Sequence, residues 1–384
     1  HKTNDNSFNY KDGSSEIIKE SVNAHLVSDV PFGVLLSGGI DSTIIALEMR
    51  ELLKNEIKAF CIGFNDKDAN ELDYAKKASK VLDLDLEFDI VDSEKCHQIL
   101  PSLISHYGEP FCDNSIIPTW YLSKLAKSSV SMVLSGDGGD EFFGGYDHYK
   151  KWLSTSIMSQ MKKLIKSKSR PILRLLMNDI INLLIHKSEN NISSYYDRIT
   201  NANKKVRKRL WQDKYPPLYE EPIKIFHELS NKYHSSSRLT YAQSIDINTY
   251  LPSNILNKVD IASMYHGLEV RTPLVDKKIT NFVLGLPDKS KIMKNENGSF
   301  ITKIFLKELL ATKFSGDFIN RPKKGFSMPY NKWMKNKDHL GDYVKDSIFS
   351  STSNLHLLFN KTELEFEYNQ FINHDNNSRL MWNL

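Results

Sequence analysis

Val34-Leu35-Leu36-Ser37-Gly38-Gly39-Ile40-Asp41-Ser42 is an apolar run that breaks into a serine, two glycines and a carboxylate, and Thr43-Ile44-Ile45-Ala46-Leu47 resumes it. The pattern predicts a buried strand, a tight loop and a helix that starts at the loop. Adjacent glycines let a backbone approach an anion closely. The hydroxyls of Ser37 and Ser42 add donors beside the N–H groups that the first helical turn leaves over. Such a loop can cradle a phosphate. Asp41 repels phosphate, so its expected task is to hold a divalent cation that the phosphate also ligates. The plainer reading is an ordinary strand-to-helix turn in which Asp41 is favoured by the helix dipole. A bare Ser-Gly-Gly does not decide between the two.

Upstream of this stretch, residues 1–13 are polar and aperiodic, which reads as a tail or linker, and a start at His1 suggests a trimmed chain. Ile17, Ile18, Val22 and Leu26 then recur at helical spacing. Downstream, strands expected at 32–36, 57–62, 84–91 and 130–134 alternate with helices at 41–54, 71–82, 93–106 and 116–127. That alternation predicts a parallel sheet covered by helices on both faces. Ligands of such sheets bind beyond the carboxyl ends of the strands, where the Ser37 loop lies.

The strand at 130–134 runs into Ser135-Gly136-Asp137-Gly138-Gly139-Asp140-Glu141-Phe142-Phe143-Gly144-Gly145-Tyr146, with five glycines and three carboxylates. A solvated acidic turn needs neither so many glycines nor two phenylalanines in its middle. This loop leaves the sheet on the same edge as the first, so the two are expected to converge, with a metal bridged by Asp41 and Asp140.

Between Gly145 and Gly267 no glycine intervenes, and apolar residues such as Ile165, Ile172, Leu173, Leu176 and Ile180 keep helical spacing. The expected organisation is an α/β core over 14–150, a helical insertion over 151–240, a helical part completing the site over 241–345, and a helical tail over 346–384. Lys150, Lys151, Lys162, Lys163, Lys166 and Lys168 read as a solvated helix face more readily than as a surface for an acidic partner. Past residue 240, Asn257-Lys258-Val259-Asp260 and Gly267-Leu268-Glu269-Val270-Arg271-Thr272-Pro273-Leu274-Val275-Asp276 set charges among apolar anchors, which calls for pairing wherever they are buried. Lys303 and Lys307 are expected on a helix. Asn320-Arg321-Pro322-Lys323-Lys324-Gly325-Phe326 is a basic turn that could face a polyphosphate.

Composition narrows the class. The chain has 384 residues, 40% of them hydrophobic and 26% charged, as in a soluble globular protein. Its 51 basic and 47 acidic residues leave a net charge of +4, too slight to argue for a nucleic-acid partner. The longest apolar stretch, 172–185, is interrupted by Arg174 and Asp179, so no membrane span is expected. Cys61, Cys96 and Cys112 form no close pair in sequence, which suggests a reducing, cytoplasmic setting. The twelve histidines lack zinc-site spacing and read as structural or solvated.

Taken in order, the motifs resemble the asparagine synthetase family, in its C-terminal synthetase region. Ser37-Gly38-Gly39-Ile40-Asp41-Ser42 is similar to the pyrophosphate loop of the N-type ATP pyrophosphatases. Ser135 to Tyr146 resembles the family's second loop, and Leu268 to Asp276 with Arg321 to Phe326 completes the set, covering roughly residues 20 to 335. The resemblance implies an adenine nucleotide α-hydrolase-like sheet with a mostly helical second half. It implies ATP with its pyrophosphate in the first loop, and adenosine held by main chain around Leu36 and Ile62. Ser135 and Gly136 would contact the nucleotide, and Asp41 and Asp140 would ligate Mg2+. It further implies that a substrate carboxylate attacks the α-phosphate and that ammonia displaces AMP. Lys323 matches the catalytic lysine, and Asp137 faces the acyl substrate and the nucleophile.

Two departures bear on the substrate. The commonest form of the second loop has glutamate where this chain has Asp137, one methylene shorter. Family members usually carry an N-terminal glutaminase domain opening on a catalytic cysteine, and all three cysteines here lie within the synthetase portion. That domain is expected upstream in a longer chain; otherwise free ammonia or another amine serves. Aspartate is the simplest acceptor. The same chemistry could amidate a sugar acid for surface polysaccharide or close a lactam ring. A sulfur-transferring or tRNA-modifying adenylating enzyme fits less well, because it would call for paired or loop-borne cysteines and a strongly basic surface. A nucleotide-binding module without catalysis would lose Lys323 or the aspartates, and the chain keeps them. A homodimer is left open.

Overall fold

Short runs of β-branched and aromatic residues bounded by turn residues build the centre of the molecule, as the alternation of elements predicts. The computed structural model describes residues 14–66, 70–154, 192–200, 202, 204–215, 222–233, 237–322, 325–374 and 377–384. In chain order the first part comprises α1 (Ser14–His25), β1 (Phe32–Leu35), α2 (Ile40–Leu52), β2 (Lys58–Phe64), α3 (Leu72–Leu82) and β3 (Asp85–Val91). There follow α4 (Ser93–Tyr107), α5 (Ile116–Lys127), β4 (Met132–Leu134) and the single turn α6 (Gly139–Phe143). A fifth strand, β5 (Glu269–Arg271), comes from far along the chain.

All five strands are parallel, in the order β3-β2-β1-β4-β5. β1 lies between β2 and β4, pairing Gly33 with Lys58 and Val34 with Leu134. From β1 the chain first builds outward through β2 and β3, then crosses to the other side with β4. The boundary between β1 and β4 is therefore the topological switch point, where such sheets open a crevice at their carboxyl edge. The loops that leave β1 and β4 are the two glycine loops.

Side chains along the strands alternate between two buried clusters, as the pleat demands. Val34, Ala59, Cys61, Met132 and Leu134 meet α1, α2 and α3 through Ile18, Val22, Ile44, Ala75 and Leu82. Phe60, Ile62, Phe64 and Val133 meet α4 and α5 through Cys96, Leu103, Ile116 and Trp120. Each fully buried Val, Leu, Ile or Phe contributes about 1.5–3 kcal/mol of transfer free energy, so a sheet apolar on both faces cannot remain without both helical layers. A third cluster around Tyr149, Trp152, Tyr195, Leu239, Tyr241 and Ile245 belongs to the helical part. There His148 bonds Asp246 at 2.7 Å, and Tyr195 donates to the same carboxylate at 2.8 Å.

The structure departs from expectation in three places. β5 was not legible as a strand, because three residues are too few to establish a period; its backbone is ordered by β4, with Leu134 opposite Arg271. An antiparallel hairpin, Ile292–Lys294 with Phe300–Thr302, also went unread. Lys303 is not on a helix: it stands one residue before the helix Ile304–Leu310, in the left-handed conformation with φ of 54°. Past residue 350 the described residues carry the helices Leu355–Leu358, Lys361–His374 and Ser378–Asn383. Lys150 pairs with Asp147 at 2.7 Å. Ile165, Ile172, Leu173, Leu176 and Ile180, with Lys162, Lys163, Lys166 and Lys168, lie outside the described residues. Among the described residues no helix is long and apolar enough to cross a membrane.

Candidate active site

The first loop turns at Gly38, whose φ of +74° is open to glycine and costly for residues with a Cβ. A Cβ there would also stand 2.5 Å from the backbone of Tyr74 and Ala75, so the loop lies directly on the first turn of α3. Ser37 ties the loop together: its Oγ accepts from the Gly39 N–H at 3.1 Å and lies 3.1 Å from Ser42 Oγ, which in turn donates to the Gly39 carbonyl at 3.3 Å. α2 starts at Ile40 with Gly39 as its N-cap, and no side chain caps its first N–H groups. The orphan donors of that turn and the serine hydroxyls face the same end of the sheet, as a phosphate cradle requires.

The second loop presses against the first. A Cβ on Gly136 would meet Ser42 N at 2.6 Å and the Asp41 carbonyl carbon at 2.7 Å, so only glycine allows the two backbones this approach. Gly138 takes a left-handed φ of +89° and starts α6, which carries Asp140 and Glu141. The result brings Asp41 and Asp140 together as expected. Between them sits Lys303, its ammonium bonded to Asp41 Oδ2 and 2.5 Å from Asp140 Oδ1. Burial by itself would push the Lys303 ammonium down; Asp140 and then Asp41 outweigh it and hold the group above the ordinary lysine range. Two carboxylates from two loops on one cation are the donor set that magnesium takes together with substrate phosphates and water. Among the described residues no group of three or more His, Cys, Asp or Glu could hold a metal by itself.

Next to this pair the carboxyls change character. Asp137 accepts from Ser135 Oγ at 2.7 Å, and its pKa is raised mainly by burial, with Lys258 opposing and Asp140 adding to the rise. Glu141 is 1% exposed and is pushed up to about 8, by burial first and Asp140 second, although Tyr146 donates to it at 2.5 Å. Lys258 itself is buried, 2.8 Å from Ser115 Oγ and 3.3 Å from Asp113 Oδ2. Asp113 also accepts from Asn254 at 2.7 Å and from Ser115 Oγ at 2.7 Å, and Lys258 holds its carboxyl low against the upward push of burial. The charged residues set among apolar anchors are thus paired where they are buried.

Of the residues singled out in sequence, Ser37, Gly38, Gly39, Asp41 and Ser42 follow β1 and Ser135, Gly136, Asp137 and Asp140 follow β4, and the two groups meet where Gly136 and Gly139 press on Asp41 and Ser42. Leu36, one residue past β1, and Ile62 on β2 are 1% and 2% exposed, and the Leu36 N–H donates to the Phe60 carbonyl at 2.8 Å. Lys323 lies outside the described residues. Sequence reading passed over Glu141 and undervalued Lys303, Lys258 and Arg321. For Lys303 the one available signal was a lone lysine bounded by apolar residues; its partners are 262 residues away at Asp41 and, on the second loop, at Asp140.

Sheet order, helices on both faces and two glycine loops at the switch point define a doubly wound α/β protein of the adenine nucleotide hydrolase-like class. Comparison with known sequences narrows that class. The chain belongs to the asparagine synthase family, whose model matches residues 14–384. It is 30% identical over 347 residues to asparagine synthetase [glutamine-hydrolyzing] 1 of Bacillus subtilis, covering 89% of this chain and 53% of that protein. A putative asparagine synthetase [glutamine-hydrolyzing] of Mycobacterium tuberculosis is 28% identical, over 87% of this chain and 50% of its own length. Amidase chyE of Penicillium rubens is 22% identical, over 84% and 52%. The chain thus spans about half the length of these curated relatives.

Proposed function

We propose that the chain activates a carboxylic acid with ATP and passes the acyl group to ammonia, in the simplest case converting aspartate to asparagine. The observation that carries this reading is the seating of Gly136 against Asp41 and Ser42, which joins an anion cradle and a carboxylate loop into one site at the switch point.

In this mechanism the Ser37–Ser42 loop receives the β- and γ-phosphates of ATP, with Ser135 and Gly136 beside the nucleotide and the main chain of Leu36 and Ile62 beside adenosine. An oxygen of the acceptor carboxylate attacks the α-phosphorus, the bond to the bridging α–β oxygen breaks, and pyrophosphate leaves. The nitrogen of ammonia then attacks the acyl carbon, AMP departs with the former carboxylate oxygen, and the nitrogen loses a proton. A carboxylate is a poor acyl donor, so the protein's contribution is positioning and charge stabilisation. Asp41 and Asp140 would hold magnesium, which when bound neutralises phosphate charge. Lys303 keeps these two carboxylates together. Lys323 is assigned to charge building on the α-phosphate and on the tetrahedral intermediate. Asp137 faces the acyl group, and its raised pKa suits a carboxyl that must tolerate an anionic neighbour. Ammonia would come from a glutaminase domain on a longer chain, as the names of the relatives suggest, or from solution.

The test is AMP and pyrophosphate release from ATP with ammonium and a panel of acids. Aspartate-dependent AMP with asparagine as product is the expected result. AMP formation with sugar acids or amino-acid precursors of lactams, and none with aspartate, would move the assignment to those acceptors; no AMP with any acid would end it.

A further inference from the structure

The anion loop has a weakness built into its sequence. Gly38 and Gly39 are adjacent and carry no Cβ, so the peptide unit between them can rotate through conformations closed to other residues. In a trans peptide the carbonyl and the N–H point in opposite directions. Whatever holds the Gly38 carbonyl outward therefore aims the Gly39 N–H inward, where it now meets Ser37 Oγ at 3.1 Å.

Arg321 is what holds it. Its Nη2 donates to the Gly38 carbonyl at 2.6 Å, across 283 positions of sequence. The guanidinium lies 3.7 Å from the centre of the Tyr74 ring and 5.8 Å from that of Phe318, and Tyr74 and Phe318 pack edge to face. Glu71 stands 3.5 Å from its other terminal nitrogen. The arginine side chain is only 8% exposed, so the group is locked by stacking and by charge before any ligand arrives. Tyr74 belongs to the same turn of α3 that a Cβ on Gly38 would strike. The glycine is therefore clamped between α3 on one side and Arg321 on the other.

We propose that Arg321 is a positioning residue for the anion loop. It fixes the Gly38–Gly39 peptide, whose N–H is tied to Ser37 Oγ, so that the loop holds its anion-binding shape before a pyrophosphate arrives, which removes the reorganisation that a glycine pair would otherwise undergo. This inference rests on the reading of the Ser37–Ser42 loop as the pyrophosphate site. It assigns Arg321 no contact with substrate.

The experiment compares binding of inorganic pyrophosphate and of AMP, each alone with magnesium, by calorimetry on the whole chain and on its Arg321→Met and Arg321→Lys variants. Loss of the clamp should weaken pyrophosphate roughly tenfold or more, the worth of one misdirected hydrogen bond, and leave AMP within about twofold. Arg321→Lys restores a donor without the stacked plane and should fall between wild type and Arg321→Met. A strut that merely supports the fold would weaken both ligands together or neither, and either result overturns the proposal. Should Arg321→Met fail to fold, Arg321→Lys decides alone: a selective loss of pyrophosphate supports the clamp, and wild-type affinity refutes it. Neither readout needs an acceptor acid. A chain that forms no AMP with any acid, yet loses pyrophosphate selectively in these variants, would sink the amidation mechanism and leave the clamp standing. A wild-type chain that does not bind pyrophosphate would sink both.

Discussion

Replacing Lys303 with methionine keeps most of the side chain's volume and removes its charge from between two carboxylates. At the 2.5 Å separation of Lys303 Nζ and Asp140 Oδ1, one such pair is worth roughly 7 kcal/mol gross at an effective dielectric constant of about 20. Burial of three charged groups offsets much of that, so the pair's net worth is far smaller. The variant, however, does not measure net worth. It takes away the ammonium that Asp41 and Asp140 share, and removing one partner of a buried ion pair costs about 3–5 kcal/mol. At roughly 2 °C per kcal/mol for a large domain, the thermal midpoint should fall by about 6–10 °C in EDTA. Magnesium offers a replacement cation and should restore several degrees in the variant, by binding the folded state alone, while moving the wild type less. The assay is thermal unfolding followed by circular dichroism at one pH, with EDTA and with millimolar magnesium chloride. A wild-type midpoint in EDTA would refute the claim that Lys303 holds the two loops together. A loss that magnesium leaves untouched would refute the cation site at Asp41 and Asp140.

Glu141 makes a pH prediction. Its carboxyl, about 8 in the fold against 4.5 unperturbed, keeps a proton that the unfolded chain has already released between those values. The folded state therefore binds more protons there, and stability declines as pH rises from about 4.5 to 8, by up to roughly 5 kcal/mol. Glu141→Gln keeps an acceptor for the Tyr146 hydroxyl and should flatten most of that slope, Asp137 supplying the remainder; an unchanged stability profile in the variant would show that Glu141 ionises normally. Lys323→Ala should lower acid-dependent AMP release by roughly a hundredfold or more while ATP affinity stays within about twofold. Wild-type turnover in that variant would remove the catalytic assignment.

How far the fold could be read from the chain depended on the period of each segment. β1, β2 and β4 were legible as short apolar runs bounded by turn residues, β3 by its alternation, and α2 to α5 by apolar residues at helical spacing, and α5 falls on the expected 116–127. β5 was not, since Glu269, Val270 and Arg271 are too few to establish a period, and they are ordered as a strand by pairing with β4. The candidate site divides along the same line. Ser37 to Ser42 and Ser135 to Asp140 announce themselves, because glycines crowded beside hydroxyls and carboxylates have few other uses. Lys303 and Arg321 look like any surface cation until their partners arrive from elsewhere in the chain.

The sequence by itself determined the parallel α/β class, the two loops and the carboxylates that line them, since backbone period and glycine placement are local properties. Only the tertiary structure decided that Gly136 seats against Asp41, that a lysine stands between Asp41 and Asp140, and that Arg321 holds the Gly38 carbonyl. Each of these is a contact across 95 residues or more, and no local pattern records which distant side chain will share a desolvated volume. The same volume sets the protonation of Asp137 and Glu141, because the cost of a buried charge depends on what surrounds it in space.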